Sequence, residues 1–105
     1  MQAGFVAERA LGYAQSGAVD ASTLISSLTF GSAGAAGIPS GTELLLIQPQ
    51  TQAIRWRDDG TAPTATVGYP LAVGAELRYT AAQGFANLRV ISQVAGAVVN
   101  VAAYA

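Results

Sequence analysis

Carboxylates are the side chains of this sequence best suited to chemistry, and two of them are adjacent in Asp58–Asp59–Gly60. Neighbouring carboxylates can bind Ca²⁺, but a calcium loop needs the longer pattern DxDxDG. Asp-Gly is also common hairpin-turn chemistry, because both residues tolerate positive φ. We therefore interpret this segment as a turn, and we expect no metal and no cofactor.

An enzymatic role would need further reactive groups. A glycosidase could combine one of these aspartates with Glu43 or Glu76, yet nothing in the spacing favours two carboxylates at the separation of about 5 Å that retaining enzymes use. The sequence contains no His and no Cys, which excludes structural zinc, disulfides, thiol catalysis and Ser-His-Asp chemistry within this chain. We expect no catalytic residues and no enzyme activity.

The segment Arg55–Trp56–Arg57 has two interpretations of equal weight. On a strand, Arg55 and Arg57 share one face and Trp56 points to the other. The two guanidinium groups could bind carboxylates of a partner, or they could pair with nearby acidic side chains while Trp56 packs in the core. The candidate partner-interface residues are Arg55, Trp56, Arg57, Asp58, Asp59, Arg78 and Arg89.

Aromatic side chains offer a second kind of site. Amphipathic rings suit carbohydrate and protein interfaces, although scattered aromatics more often plug a core or anchor an interface. The Gly-rich segment Gly31–Gly37 lacks the Lys-Ser/Thr that follows a phosphate loop, so it predicts no nucleotide site. The candidate ring residues are Tyr13, Trp56, Tyr69, Tyr79 and Tyr104.

Composition limits the class of protein. The chain has 105 residues, of which 51% are hydrophobic and only 10% are charged, with a net charge of −1. One domain of this hydrophobicity is not intrinsically disordered, and it has no basic patch for nucleic acid or anionic membrane. Because a free monomer usually carries more charge, we expect neighbouring subunits to cover much of the surface.

The spacing of glycine and proline predicts the elements that position these residues. Turn residues recur every four to eight residues or so, as in proteins built from short strands. The pattern predicts an all-β fold, an antiparallel β-sandwich or small jelly roll of seven or eight strands. Strands are expected at Thr42–Gln48, Gln52–Arg57, Ala75–Thr80, Phe85–Ile91 and Ala97–Tyr104.

The first third of the chain is less regular. Ala3–Gln15 fits an Ala-rich helix or an extended arm with a strand at Ala10–Ala14, and the all-β context favours the strand. Ser22–Phe30 predicts one strand decorated with Ser and Thr, and Gly31–Gly37 a mobile loop. We divide the chain into residues 1–21, an arm or first strand, and residues 22–105, one sandwich domain.

No targeting segment is expected. Glu8–Arg9 interrupts the apolar stretch near the start, unlike a secretory signal. The weakly polar run Val94–Ala105 is too short to cross a bilayer, which takes about twenty helical residues. We therefore expect no membrane partner.

The region 38–104 resembles a group of small bacteriophage virion proteins. It carries an IPSG turn at Ile38–Gly41, the loop motif RWRDDGTAPTATVG at Arg55–Gly68, the strand GAELRY at Gly74–Tyr79, and a closing VNVAAY. The loop motif is the distinctive part. The chain departs from the pattern at Ala102–Ala103 and in its Gly/Ala-rich insert near residue 35.

This resemblance implies a structural virion component without enzyme activity, most simply a capsid decoration (cement) protein on the outside of the shell. Its partners would be the major capsid protein and copies of itself, as a trimer or dimer, without nucleic acid. An arm at Met1–Gly17 would drape over a neighbour, and Arg55 and Arg57 would contact acidic capsid surface. The alternatives are a head-fibre, neck or tail module and, from another class, a carbohydrate-binding sandwich.

Overall fold

Short strands account for nearly all the regular structure in a computed structural model, which describes residues 9–31, 35–80 and 84–105. Seven strands have three or more residues and three have two, and Ile25–Ser27 forms a 3₁₀ turn. The strands are β1 Ala10–Gln15, β2 Thr23–Leu24, β3 Thr29–Phe30, β4 Ala35–Ala36, β5 Leu44–Gln50, β6 Ile54–Arg57, β7 Tyr69–Leu71, β8 Leu77–Thr80, β9 Arg89–Ser92 and β10 Val98–Tyr104.

Two four-stranded antiparallel sheets form the fold. Sheet A has the order β1-β10-β5-β8, and sheet B has the order β2-β9-β6-β7. The short strands β3 and β4 pair separately beside them. The all-β sandwich predicted from the turn spacing is therefore confirmed. No helix in the described ranges is long and apolar enough to cross a membrane.

Alternating side chains of both sheets fill the space between them. In sheet A, Leu45 and Ile47 of β5 face the core together with Val99 and Val101 of β10, and all four side chains are fully buried. Period-two burial of this kind follows from the strand pleat. The core cluster is Ala14, Val19, Ile25, Phe30, Leu45, Ile47, Ile54, Tyr79, Leu88, Val90, Ala97, Val99, Val101 and Ala103.

The first described strand, β1, belongs to the sandwich. β1 pairs with β10 along its length, and Ala14 is buried in the core. The strand interpretation of Ala10–Ala14 is confirmed, extended by one residue, and the helix alternative is wrong there. The draped arm is likewise wrong over Ala10–Gln15, because these residues are hydrogen-bonded within sheet A. Its first part, 1–8, lies outside the described residues.

The prediction of one strand over Ser22–Phe30 is wrong. Two short strands flank the 3₁₀ turn, and polar side chains in this segment bond to nearby backbone. Thr23 donates to the carbonyl of Ala21 at 2.9 Å, and Ser27 donates to that of Leu24 at 2.7 Å. Such local bonds compete with a continuous ladder. The loop predicted at Gly31–Gly37 is also wrong at Ala35–Ala36, which pair with β3, while 32–34 lie outside the described residues.

Two prolines sit inside strands where turns were expected. Pro49 pairs with Val99, whose N–H and carbonyl both bond to Ser16 on the other side. The proline nitrogen therefore faces the side of β8, at a point that lies before β8 begins at Leu77, so no hydrogen bond between strands is lost. Pro70 lies in β7, an edge strand of sheet B, where proline is tolerated.

Asp20 fastens the connection between the sheets. Its Oδ1 accepts hydrogen bonds from the N–H of Gly96 at 2.8 Å and from the hydroxyl of Ser92 at 2.9 Å. The Ser92 hydroxyl in turn accepts from the N–H of Ala97 at 3.1 Å. The Gly96 N–H, and secondarily the Ser92 hydroxyl, lower the pKa of Asp20 below its ordinary value of 3.8. The carboxylate is thus the form that the fold prefers.

We expect the hydrogen bonds of Asp20 with Gly96 and Ser92 to make the stability of the protein sensitive to acid. Because the folded pKa of Asp20 is depressed, its contribution to stability is present above pH 3.8 and is lost as the pH falls through the folded pKa. Asp20→Asn keeps an oxygen acceptor but removes the charge, so its unfolding free energy should change less with pH below 3.8 than that of the wild type. Urea unfolding at a series of pH values measures this difference.

Glu43→Gln is the control for that titration, because Glu43 is exposed and its side chain makes no hydrogen bond within the described part of the chain. It should follow the wild-type profile. An Asp20→Asn profile that superimposes on the wild type would contradict the assignment of acid sensitivity to the hydrogen bonds of Asp20.

Candidate functional site

The loop 58–68, which connects β6 to β7, begins with an ion pair. The Arg57 Nε donates to Asp59 Oδ1 at 3.0 Å, and Nη2 lies 2.5 Å from Oδ2. The N–H of Thr61 also donates to Asp59 Oδ1 at 3.3 Å. Hydrogen bonding to Arg57 is the main reason that the pKa of Asp59 lies below its ordinary value. Of the predicted pairings of arginine with a nearby acidic side chain, this one is confirmed.

Arg55 holds the far side of the same loop. Its Nε donates to the carbonyl of Ala65 at 3.1 Å, and its Nη1 donates to that of Gly68 at 2.8 Å. No carboxylate among the described residues pairs with it. The hypothesis that Arg55 pairs with an acidic side chain is therefore wrong. Because its guanidinium already serves two loop carbonyls, Arg55 positions the loop.

Thr64 closes a turn within the loop. Its hydroxyl accepts from the N–H of Val67 at 3.0 Å and of Thr66 at 3.3 Å, and its own N–H donates to the carbonyl of Val67 at 2.8 Å. Gly68 then enters β7 with φ +141°, where an added Cβ would lie 3.1 Å from Cβ of Arg55 and 3.2 Å from that of Pro63. Hydrogen bonds from its own polar side chains thus hold the loop in shape, and there is little room for a side chain at Gly68.

A row of aromatic rings runs from the loop into the core. Tyr69 lies 4.8 Å from Trp56, centroid to centroid, with 34° between the ring planes. Trp56 meets Tyr79 edge-on at 6.2 Å and 80°, and Tyr79 lies 6.2 Å from Phe85. Trp56 belongs to sheet B and Tyr79 to sheet A, so this row joins the sheets. The core interpretation of Trp56 is confirmed, since it packs against the buried cluster.

The buried ring of this row, Tyr79, binds the other aspartate of the loop, Asp58. The hydroxyl of Tyr79 donates to Asp58 Oδ2 at 2.6 Å. Desolvation, and then this hydrogen bond to Asp58, raise the pKa of Tyr79 to about 12 from an ordinary 10.0. Tyr79 is fully buried, so the fold strongly favours the neutral phenol.

We expect one of the four tyrosines to ionise late. Because the folded pKa of Tyr79 is raised, its contribution to stability is present below pH 10.0 and is lost as the pH rises toward about 12. Phenolate absorbance should show a late step from Tyr79 as the pH approaches about 12, with unfolding accompanying that step. Tyr79→Phe should remove the late step, whereas Tyr69→Phe should keep it. A phenolate titration that Tyr79→Phe leaves unchanged near its alkaline end would contradict this assignment.

These elements enclose an open cleft of about 300 Å³ at the side of the loop. The cleft combines one guanidinium, two carboxylates and one exposed ring, and it is lined by Arg57, Asp58, Asp59, Val67, Gly68 and Tyr69. No three acidic, His or Cys side chains come together as a metal set in the described ranges. The arrangement can bind a small polar ligand that has an apolar face.

The remaining arginine candidates lie apart from the cleft. Arg78 is on β8, where it forms an exposed ion pair of 3.3 Å with Glu76. Arg89 is directly opposite Arg57 in the register of β9 and β6, and it makes no ion pair within the described residues. The structure therefore brings Arg57, Asp58 and Asp59 together in the cleft and leaves Arg78 and Arg89 outside it.

The two exposed aromatic candidates lie on different parts of the surface. Tyr69 is 62% exposed at the cleft, while Tyr13 is 53% exposed on the outer face of sheet A. Tyr13 donates its hydroxyl to Asn100, and Asn100 donates to Gln50 at 2.7 Å. This network of hydrogen-bonded side chains was not expected from the sequence, and neither were Val67 and Gly68 as lining residues of the cleft. The polar residues of β1, β5 and β10 are visible in the sequence, but only the pairing of these strands shows that they lie side by side.

No protein-family model, curated protein or solved structure matches this chain.

Proposed function

We propose that this chain is a structural protein of a bacteriophage virion, a capsid decoration protein that binds the outside of the shell. The proposal rests on the hydrogen bonds that the side chains of the motif Arg55–Gly68 make. Its charged and hydroxyl side chains Arg55, Asp59 and Thr64 bond within the loop. A motif whose polar groups build one rigid loop suits a structural module, and this motif is the distinctive part of the resemblance to phage virion proteins.

The outer face of sheet A supports an assembled state. Across this face, Tyr13, Ala102 and Leu46 lie side by side in register, and Arg78 on edge strand β8 is the one charged residue of that row. Amide side chains fill the next row, with Gln15 beside Asn100. Protein interfaces are depleted of charge at their centre and enriched in tyrosine. We infer that this face contacts a neighbouring subunit, either the major capsid protein or a second copy of the chain.

Quantitative mass spectrometry of purified virions, scaled to the major capsid protein, tests the proposal. Hundreds of copies per particle are expected for a protein that covers the shell. A few copies to a few tens would favour the alternative, a head-fibre, neck or tail module. Absence from the particle would overturn the virion assignment.

A matched pair of variants tests the contact face. Gln15→Glu places a charge on the outer face of sheet A, where Gln15 is exposed, and a charge buried at an interface is costly to desolvate. Gln52→Glu makes the same change in the turn between β5 and β6, outside the strands of sheet A. We expect the first variant to bind capsids at reduced occupancy and the second at wild-type occupancy. Equal occupancy would place the contact on another surface.

A further inference from the structure

The cleft beside the loop 58–68 has the walls of a ligand site, and we propose that it binds the ring of a neutral pyranose sugar. This inference is independent of the virion assignment, because it rests on the geometry of the cleft alone. The volume of about 300 Å³ lies at the lower end of small-ligand sites and suits one sugar ring.

Tyr69 supplies the apolar wall. Trp56 packs against one side of its ring, yet 62% of Tyr69 remains exposed. Because Trp56 packs against one side of the Tyr69 ring and the rest of the ring is exposed, Tyr69 offers a fixed surface for the C–H face of a sugar. Trp56 itself is half-buried beneath Tyr69, so Tyr69 is the contact residue among the aromatic candidates.

Arg57 and Asp58 supply the polar wall. Asp58 uses Oδ2 to accept from Tyr79, and its Oδ1 accepts no hydrogen bond from the described residues. Arg57 uses Nε and Nη2 on Asp59, which leaves Nη1 as a donor. A hydroxyl both donates and accepts hydrogen bonds, so neighbouring hydroxyls can bind a carboxylate oxygen and a guanidinium nitrogen together.

The charge and rigidity of the cleft narrow the ligand class. Two carboxylates and one guanidinium line it, a balance of −1 that disfavours anionic sugars. The bonds from Arg55 to the carbonyls of Ala65 and Gly68 hold the loop in place before any ligand arrives, so little ordering is needed on binding. For one ring and a few hydrogen bonds we expect a Kd on the order of 1 mM.

Titration with methyl pyranosides of glucose, galactose, mannose and N-acetylglucosamine tests the proposal. Trp56 is the single tryptophan of the chain, and its contact with Tyr69 makes its indole N–H resonance a reporter of the cleft. At least one glycoside should shift this resonance saturably. Tyr69→Ala should weaken binding roughly ten-fold, whereas Tyr69→Phe should retain it.

Two further variants separate the cleft from general effects. Tyr13→Ala removes the other well-exposed tyrosine, on the outer face of sheet A, and should leave binding unchanged. Asp58→Asn should weaken binding, with urea unfolding of each variant showing that the fold persists. The proposal is overturned if no glycoside gives a saturable shift, if Tyr69→Ala binds like the wild type, or if N-acetyl-arginine amide binds and the glycosides do not. Virion copy number tests the proposed function separately.

Discussion

Gly68→Ala should destabilise the protein by about 3 kcal/mol, the sum of backbone strain and a close contact. Gly68 has φ +141°, a conformation that residues with a side chain rarely adopt. A Cβ there would also meet Cβ of Arg55 at 3.1 Å, Cβ of Pro63 at 3.2 Å and the carbonyl oxygen of Trp56 at 3.2 Å. Backbone and proline atoms cannot rotate away, so the loop must move. Urea unfolding measures the loss.

Gly60→Ala is the matched control for this substitution. Gly60 lies in the same loop with φ +87°, and an added Cβ would have no atom within 4 Å. Its expected cost is therefore the backbone strain alone, about 1 kcal/mol. If both variants lose the same stability, the close approach of Gly68 to its neighbours contributes nothing. The Gly68 variant should also lose the order of the cleft, which wild-type-like line shapes of the Trp56 indole resonance would contradict.

Local pattern predicted the strands because burial in a sandwich follows the pleat. The alternation in β6 correctly placed Trp56 on the face opposite Arg55 and Arg57, and that face meets the core because sheet A covers it. In Ser22–Phe30, hydrogen bonds from Thr and Ser side chains to nearby backbone compete with strand pairing. The sequence pattern therefore predicted one continuous strand there, which is wrong. Pro49 misled for another reason: its missing N–H costs no hydrogen bond because β8 begins only opposite Ile47, and that boundary is set by the sheet.

The loop was recognisable, but its bonding was not. Arg57 and Asp59 lie two residues apart, so their ion pair could be expected from the sequence. Arg55 instead bonds to the carbonyls of Ala65 and Gly68. Because every residue has a backbone carbonyl, the residue types do not indicate which carbonyl accepts a hydrogen bond. The pair of Tyr79 and Asp58 forms only when the two sheets pack, because Tyr79 belongs to sheet A and Asp58 directly follows strand β6 of sheet B.

Leu45→Ala should likewise destabilise the protein by about 3 kcal/mol, because Leu45 is fully buried between the sheets. It lies on β5, which pairs with β10 on one side and β8 on the other. Truncation removes buried apolar surface and leaves a cavity that two hydrogen-bonded neighbouring strands prevent from collapsing. The slope of the urea transition should stay that of the wild type, since the unfolded chain exposes nearly the same surface.

Leu46→Ala makes the same substitution one residue along the strand, on the outer face of sheet A. Leu46 is half-buried there, between Ala102 and Arg78 in register. With less surface to expose and no enclosed cavity to form, its expected cost is about 1 kcal/mol. Equal losses for the two variants would contradict the assignment of inner and outer faces, because the two positions differ chiefly in the face they occupy. Loss of capsid occupancy by a Leu46→Ala variant that remains folded would support the outer face as an interface.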